Sequence, residues 1–240
     1  MEYLNWERLE SLDEKTFLAT KPYPWINPAG CLTEEGFRKL RESLPPVEKF
    51  ERVFGKKRSF GQQSHDRFAL EYKDSLDLPP PWREFIAELK STRYRRFLRR
   101  MFGRGGLSIA FHWHYTPNGC SVSPHCDAMQ KLGSHIFYFN TTEDWDPSWG
   151  GETVVLDDHG RFGPKSAPAW EDFDTAAESN ALGNYSLLFA RGESSWHGVR
   201  EIHCPPDRLR KVFIVVVNDR LRAKAKEIWA RVRGKKAAGY

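Results

Sequence analysis

The sequence predicts an α+β protein in which helices precede and follow a core built of β-strands. Six short segments between residues 107 and 218 are rich in β-branched or aromatic residues and end at Gly, Pro, Asn or Asp, which is typical of sandwich or barrel strands. The flanking segments have helical character instead. The chain has 240 residues, of which 40% are hydrophobic and 14% aromatic. It can therefore bury a sizeable core, and wholesale disorder is excluded.

Two helical segments are predicted before the strands. Residues 33–44 begin with Thr33 and two acids, a helix start, and the prolines from Pro45 onward stop that helix. After a run of three prolines, the apolar positions of residues 82–100 have helical spacing, and glycines from Gly103 onward end the segment. The pattern therefore predicts one helix in each segment.

The predicted strands form the core, and a basic helix follows over 219–234. The strands are LSIAFHWHY (107–115), GSHIFYFN (133–140), ETVVLDD (152–158), YSLLFA (185–190), WHGVREI (196–202) and KVFIVVVN (211–218). The stretch 159–182 has no clear period, and such long loops are usually functional or mobile. We divide the one expected domain into an N-terminal helical and strand support region (1–106), the β core (107–219), and a C-terminal basic helix and tail (220–240).

Charge is close to balanced, with 37 basic and 32 acidic residues. The basic residues concentrate in 87–104 and 219–236, and the acidic ones in 141–180. Such blocks are usually solvated faces of helices, and a patch for an anionic partner is the alternative. Nucleic acid is an unlikely partner, because no basic strand with interleaved aromatic residues appears.

The sequence predicts a cytoplasmic protein without a membrane span. No apolar run approaches the ~20 residues that cross a bilayer. The first residues, MEYLNWERLESLDEK, lack both an apolar signal core and the Arg/Ser bias of a transit peptide. The four cysteines form no Cys-x-x-Cys pair, so we expect reduced thiols rather than a zinc knuckle. The oligomeric state is not predicted.

A His-x-Asp pair is the strongest chemical signal. His125 and Asp127 are two residues apart, and such residues point the same way on an extended strand. Pro124 favours extended geometry at Ser123, and His197 lies on another predicted strand. Two neutral imidazoles and one carboxylate leave Fe(II) at net +1 with open coordination positions. We therefore predict that His125, Asp127 and His197 are the metal ligands and the catalytic centre.

The order of these residues resembles the Fe(II)/2-oxoglutarate-dependent dioxygenase superfamily, in particular its prolyl-4-hydroxylase-like branch. The resemblance covers about 107–218 and rests on the His-x-Asp pair, the turn at Gly150-Gly151-Glu152, the distal His-x-Val at His197, and an arginine that begins the last strand. It implies a double-stranded β-helix, a jelly-roll type of sandwich. It also implies that iron is held by the residues matching His125, Asp127 and His197.

The resemblance further implies a site for 2-oxoglutarate. Arg210 is the best match for the arginine that pairs with the distal carboxylate, and Arg208 is the runner-up. Tyr138 matches a tyrosine that helps to hold this carboxylate, and Tyr115 matches one close to the co-substrate. The physical requirement agrees, since a buried dianion needs charge-assisted hydrogen bonds.

The implied reaction is hydroxylation of an unactivated C–H bond, with succinate and carbon dioxide released from 2-oxoglutarate. The implied cofactors are Fe(II), 2-oxoglutarate and dioxygen, with ascorbate as a candidate reductant. The substrate is a prolyl or other protein residue, or alternatively a free amino acid, saccharide or other metabolite. The segment 141–149 and the loop 159–182 are candidates for covering it, because they carry Trp145, Trp149 and Trp170.

Several alternatives stay open. The chain could be a catalytically silent jelly-roll that binds an anionic partner through the basic segments 87–104 and 219–236. A zinc hydrolase would need a general base, and none stands out. His112 and His114 share a strand face without a third ligand, and we expect a structural or substrate-lining role. His135, on the next strand, is expected to form a contact with the metal ligands without binding the metal. Cys126 is expected to pack on the face of its strand opposite His125 and Asp127.

Overall fold

The computed structural model describes residues 1–232, apart from the side chains at positions 59, 226, 227 and 229–232. The helices are α1 (Trp6–Ser11), α2 (Glu14–Ala19), α3 (Glu34–Glu42), α4 (Pro80–Leu89), α5 (Thr92–Phe102) and α6 (Arg220–Val232). The strands are β1 (Trp25–Ile26), β2 (Glu51–Val53), β3 (Arg67–Glu71), β4 (Leu107–Pro117), β5 (Val122–His125), β6 (Lys131–Tyr138), β7 (Val154–Asp157), β8 (Asp174–Glu178), β9 (Ser186–Ala190), β10 (His197–Val199) and β11 (Leu209–Asp219). Within this part of the chain, no helix is both long and apolar enough to cross a membrane.

Two antiparallel sheets form the core. The seven-stranded sheet has the order β1-β9-β6-β11-β4-β3-β2, and the four-stranded sheet has the order β5-β10-β7-β8. Strand β11 lies at the centre of the large sheet, between β4 and β6. These two sheets, with helices before and after them, confirm the predicted α+β architecture with a double-stranded β-helix core.

The helix predictions are partly confirmed. Helix α3 begins as expected, since the Thr33 hydroxyl accepts a hydrogen bond from the Gly36 N–H at 3.1 Å. The prediction of a single helix over 82–100 is wrong. The chain breaks at Ser91, whose hydroxyl caps α5 by accepting from the Tyr94 N–H at 3.2 Å. The basic helix predicted over 219–234 is present as α6, and residues 233–240 lie outside the described part of the chain.

Some elements escaped prediction because their sequence pattern is weak. Helices α1 and α2 have six residues each. Strand β8 lies inside the loop 159–182 and is almost wholly exposed, so it shows no alternation of apolar and polar residues. Strands β2 and β3 lie in the predicted support region, yet they extend the large sheet beside β4. The three-part division of the chain stays a prediction.

An aromatic cluster holds the helices against the outer face of the large sheet. The Trp82 ring of α4 lies 5.1 Å from both Trp113 of β4 and Phe213 of β11, between ring centroids. Phe85 and Phe137 extend the cluster, with centroids 5.7 Å apart. All five side chains are almost completely buried. Because side chains alternate along a strand, the neighbouring positions on β4, β6 and β11 face the small sheet instead.

The basic segment 87–104 is partly used inside the fold. Arg100 of α5 donates to the main-chain oxygens of Leu9 and Leu12, at 2.9 and 2.7 Å. Arg93 forms an ion pair with Glu10 at 2.7 Å. These contacts tie α5 to the N-terminal helices, so at least two of its arginines have a structural role.

Candidate metal centre

Three side chains converge between the two sheets, as the sequence predicts. His125 ends β5 and His197 begins β10, and the two residues are direct partners in the antiparallel pairing of these strands. Asp127 follows β5 by two residues. The candidate ligand atoms of the three side chains lie within 4.8 Å of one another. All three residues are buried, with 7–8% of their surface exposed.

Hydrogen bonds orient both imidazoles. Nδ1 of His125 lies 2.9 Å from the main-chain oxygen of Ser123, and Nδ1 of His197 lies 2.9 Å from that of Ser195. A carbonyl oxygen only accepts, so each Nδ1 carries the proton and each Nε2 keeps its lone pair. Burial lowers the pKa of both histidines below the usual range. Both rings are therefore neutral at neutral pH, as candidate metal ligands need to be.

A buried lysine holds the carboxylate of the cluster. Lys131 donates from Nζ to Oδ1 of Asp127 at 2.7 Å, and both side chains are buried. Burial acts to raise the pKa of Asp127, but the charge and hydrogen bond of Lys131 outweigh it and hold the pKa below its usual range. The carboxylate is therefore ionised, and Lys131 fixes one of its two oxygens.

A third imidazole packs against the cluster. The His65 ring centroid lies 4.5 Å from that of His125. Its Nε2 lies 3.1 Å from the Ser123 hydroxyl, and its Nδ1 lies 2.7 Å from Nη1 of Arg58. Burial, and next the charge of Arg58, lower the pKa of His65 to about 2. His65 is thus neutral and accepts from Arg58. No sequence pattern points to this residue.

The cluster opens into a cavity of about 540 Å³ between the sheets. Inward-facing residues of the large sheet form much of its wall: Ala110, His112, His114 and Thr116 of β4, Ser134 and Ile136 of β6, and Arg210, Val212 and Ile214 of β11. The small sheet contributes Val122 and Val199 beside the candidate ligands. The cavity is therefore a pocket with mixed polar and apolar walls that ends at the cluster.

Arg210 reaches this cavity and Arg208 does not. Arg210 is buried and donates from Nε to the main-chain oxygen of Gly151 and from Nη2 to the Thr153 hydroxyl at 3.3 Å. Within the described residues, it forms no ion pair with a carboxylate. The side chain of Arg208 is 45% exposed and pairs with its neighbour Asp207 at 3.6 Å. A buried guanidinium without a counter-ion is suited to binding an anion.

The turn at Gly150-Gly151-Glu152 shapes this anion site. Gly151 has a φ of +104°, and a Cβ atom there would lie 3.2 Å from Cδ of Arg210. Any other residue would be strained and would press on the arginine. The turn therefore supplies both the oxygen that Arg210 binds and the space that the arginine occupies.

The two predicted tyrosines lie on opposite faces of the large sheet. The ring of Tyr138 lies 5.6 Å from Cζ of Arg210, and its hydroxyl is 2.9 Å from the hydroxyls of both Thr153 and Ser179. Tyr138, Thr153 and Arg210 thus form one polar group at the end of the cavity. The expected role of Tyr138 in holding the co-substrate stays a prediction.

Tyr115 faces the helices, and its expected place beside the co-substrate needs correction. It pairs with Lys211, whereas its neighbour Thr116 pairs with Arg210 and lines the cavity. The Tyr115 hydroxyl donates to the main-chain oxygen of Pro45 at 3.0 Å, and its ring stacks on Phe50 at 4.2 Å. The alternation of side chains along β4 excludes it from the pocket.

The other histidines of β4 and β6 also lie on opposite faces of the large sheet. His112 and His114 line the cavity, and the three-ligand group found in the described residues does not include them. His135 lies on the helix side, with Nδ1 2.9 Å from the Tyr94 hydroxyl and Nε2 3.1 Å from the Ser186 hydroxyl. The expected contact between His135 and the metal ligands is therefore wrong. Cys126 packs against apolar neighbours, and burial raises the pKa of its thiol to about 12.

The three tryptophans proposed to cover the substrate pack on the small sheet. Trp145 donates from Nε1 to the Gly150 oxygen at 2.8 Å and packs against Trp149. Trp170 lies on Gly198, where a Cβ atom would come within 2.7 Å of its ring. None of these three side chains lines the cavity. Trp145 supports the turn that accepts a hydrogen bond from Arg210, and Trp170 supports the strand that carries His197.

Comparisons with solved structures find the same fold in several Fe(II)/2-oxoglutarate oxygenases. A prolyl-4-hydroxylase of Pseudomonas putida is similar over 89% of this chain and 97% of its own, with a TM-score of 0.56 and 16% identity. A prolyl hydroxylase of Trichoplax adhaerens, solved with a peptide fragment of hypoxia inducible factor, is similar over 92% of this chain and 93% of its own. Its TM-score is 0.58 and its identity is 13%. The carbocyclase SnoK of nogalamycin biosynthesis is similar over 88% of this chain and 86% of its own, with a TM-score of 0.59 and 13% identity. No family model matches the sequence, and no curated protein does.

At these identities the comparisons show only that the fold is shared. The His-Asp-His cluster is observed in the structure of this chain itself. Sequence reasoning missed Lys131, His65 and Thr153, although the structure places all three at the site. Lys131 gave the best available signal, because this lysine lies four residues after Asp127 and opens a fully buried strand. Its pairing with Asp127 depends on the turn between β5 and β6.

Proposed function

We propose that this protein is a non-haem Fe(II)- and 2-oxoglutarate-dependent dioxygenase that hydroxylates an unactivated C–H bond of an organic substrate and releases succinate and carbon dioxide. One observation carries the proposal: His125, Asp127 and His197 share a buried cavity with Arg210, which has no carboxylate partner in the described residues. The three candidate ligands can hold an iron ion. The guanidinium of Arg210 can bind a carboxylate of a keto-diacid.

The donor set fits Fe(II). Two neutral imidazoles and one carboxylate match the two-histidine, one-carboxylate set of non-haem iron oxygenases. The Nδ1 bonds of His125 and His197 orient the free nitrogens before metal binds, and Lys131 fixes the carboxylate of Asp127. Bound Fe(II) would supply the activation of dioxygen for oxidation of the C–H bond.

The anion site fits the distal carboxylate of 2-oxoglutarate. Arg210 offers N–H donors beside the hydroxyls of Thr153 and Tyr138. Hydrogen bonds to a carboxylate are strongest where water is excluded, and Val212, Ile214 and Ile136 exclude it here. These residues bind and orient the co-substrate, so that its other end faces the metal ligands. Ascorbate as a reductant stays a prediction.

The similar structures do not distinguish between the two substrate classes. One is a prolyl hydroxylase holding a peptide, and another is an enzyme of nogalamycin biosynthesis. A prolyl or other protein residue and a free small molecule therefore both remain within the proposed reaction class.

The test is turnover without added substrate. Protein supplied with Fe(II), 2-oxoglutarate and oxygen should release succinate slowly, measured by NMR. Arg210→Met should weaken 2-oxoglutarate binding about 100-fold, because it removes the charged partner of a desolvated carboxylate. Arg208→Met is the matched control, and its affinity should stay near that of the wild type.

Three results would contradict the proposal or its assignment of the anion site. If Arg208→Met alone weakens binding, the assignment of the anion site is wrong. Hydrolytic activity with zinc and no need of oxygen would favour the zinc hydrolase, and absence of any 2-oxoglutarate binding would favour the silent binding module.

A further inference from the structure

A second hollow of about 480 Å³ adjoins the metal ligands, and we call it the vestibule. It shares Arg58, His65 and Asp127 with the inner cavity, so the two spaces are continuous at the candidate metal centre. Six cationic residues from separate parts of the chain line it: Lys56, Lys57, Arg58, Arg67, Lys165 and Arg191. The acid in its lining is Asp127, which Lys131 already binds.

Arg58, Arg191 and the three lysines of the vestibule form no ion pair with a carboxylate in the described part of the chain. Arg58 is half-buried, and it donates to the neutral acceptors His65 and Gln62. Arg191 donates to the main-chain oxygen of Asp127 at 3.3 Å. Neither arginine forms an ion pair within residues 1–232, and the lysines of the vestibule form none either. A concave surface with charge of one sign concentrates ligands of the opposite sign.

The rim of the vestibule is apolar. Phe60 is 56% exposed and Met129 is 54% exposed, although residues of this size are usually buried. Phe60 also has a φ of +63°, a left-handed conformation that costs energy for an aromatic residue. The structure therefore presents an apolar rim above a cationic interior, which matches a ligand with an apolar part and an acidic group.

The vestibule is bordered on two sides by chain segments that touch. Gln62 donates from Nε2 to the main-chain oxygen of Ser166 at 3.1 Å. Pro164 and Lys165, beside that contact, belong to the loop 159–182 and line the hollow. Because this contact bridges one side of the hollow, the shape suits a small molecule better than a polypeptide that runs through an open groove.

We propose that the vestibule binds the carboxylate or phosphate group of a small organic substrate. The apolar part of that substrate packs on Phe60 and Met129, and the substrate meets the candidate metal centre where the two cavities join. This inference rests on the proposed function, which supplies the reaction. The binding of the anion needs no turnover and is tested separately.

The experiment measures binding to the protein loaded with Fe(II) and saturating 2-oxoglutarate, without oxygen. The probes are phenyl phosphate and phenylacetate, each compared with a neutral partner, phenol and phenylacetamide. At least one anion should bind more than about tenfold more tightly than its neutral partner, and the better anion identifies the acid group. Raising the salt concentration should weaken that anion's binding.

A charge-matched pair of variants locates the site. Lys56→Gln/Lys57→Gln/Lys165→Gln removes three exposed cations of the vestibule, and Lys15→Gln/Lys21→Gln/Lys73→Gln removes three exposed lysines elsewhere. The vestibule variant should weaken binding of the anion about tenfold, since exposed charges each contribute modestly and three are removed together. The control variant should change its affinity less than about twofold.

Three outcomes would overturn the inference: equal binding of anions and neutral partners, equal loss in both triple variants, or tighter binding of a hexaglutamate peptide than of either small anion. The last would make the substrate an acidic polypeptide. Failure of the proposed function looks different, since 2-oxoglutarate would then neither bind through Arg210 nor yield succinate, whatever the vestibule binds.

Discussion

The two faces of the large sheet have opposite compositions, although the same strands build both. On β11, Phe213 faces the helices and joins an aromatic cluster, while Arg210 and Val212 face the cavity. On β4, Trp113 and His114 divide in the same way. Alternation with a period of two therefore lets one strand contribute to the core and to the site at once. The predictions below test this separation of stability from function.

Phe213→Ala should have the largest effect on stability. It removes a fully buried ring that contacts Trp82 and Trp113, so the free energy of unfolding should fall by about 3–5 kcal/mol. Urea denaturation measures the loss. Leu221→Ala, at a position that is 79% exposed, is the control and should change stability by less than about 0.5 kcal/mol. A loss at Phe213 no larger than this control would contradict the aromatic core.

Lys131→Met tests the cavity face. It leaves the buried carboxylate of Asp127 without this partner, so the metal-free protein should lose about 3 kcal/mol of stability. Bound Mn(II) should restore much of that loss, because the metal neutralises the same carboxylate. Thermal unfolding with and without metal measures both effects. The idea fails if metal stabilises the variant and the wild type by the same amount.

His197→Ala should abolish function with less effect on the core. Loss of a metal ligand should lower metal affinity and succinate release more than about 100-fold, which exceeds the effect of removing a residue that only supports a ligand. His203→Ala is the matched control, since His203 is exposed and lies beside Glu201. Metal titration and succinate release together check the result, and a fully active His197→Ala would remove His197 from the metal centre.

The smallest expected effect is the contribution of His135 to the pH dependence of stability. Burial lowers its pKa from 6.5 to about 3 in the folded protein. As the pH falls below about 6.5, the unfolded chain takes up a proton that the folded chain refuses, so stability falls down to about pH 3. Between pH 7.5 and 5.0, this one residue should cost about 2 kcal/mol.

His135→Gln isolates this contribution. Glutamine can still bond Tyr94 or Ser186 but does not titrate, so the variant's stability should fall less steeply with acid than that of the wild type. Urea denaturation at several pH values measures both slopes. Parallel curves would show that His135 does not stay neutral in the folded protein.

The vestibule shows where local sequence patterns stop being informative. Lys165 is far along the chain from the adjacent pair Lys56 and Lys57, and these lysines carry no motif. The basic segments that stand out in the sequence lie elsewhere. The cations meet only because the segment after β2 and the loop after β7 fold against each other.

By itself, the sequence determined the helices around a β core, the jelly-roll resemblance and the convergence of His125, Asp127 and His197. The helices, the strands and the His-x-Asp pair were accessible because strand period, capping and spacing are local properties of the chain. The jelly-roll and the place of His197 came from the family resemblance. Only the tertiary structure decided that Arg210 rather than Arg208 reaches the cavity, that Tyr115 and His135 face the helices, and that Lys131 holds Asp127. Those facts depend on the pairing register of β4, β6 and β11, because a shift of one residue moves every side chain to the opposite face.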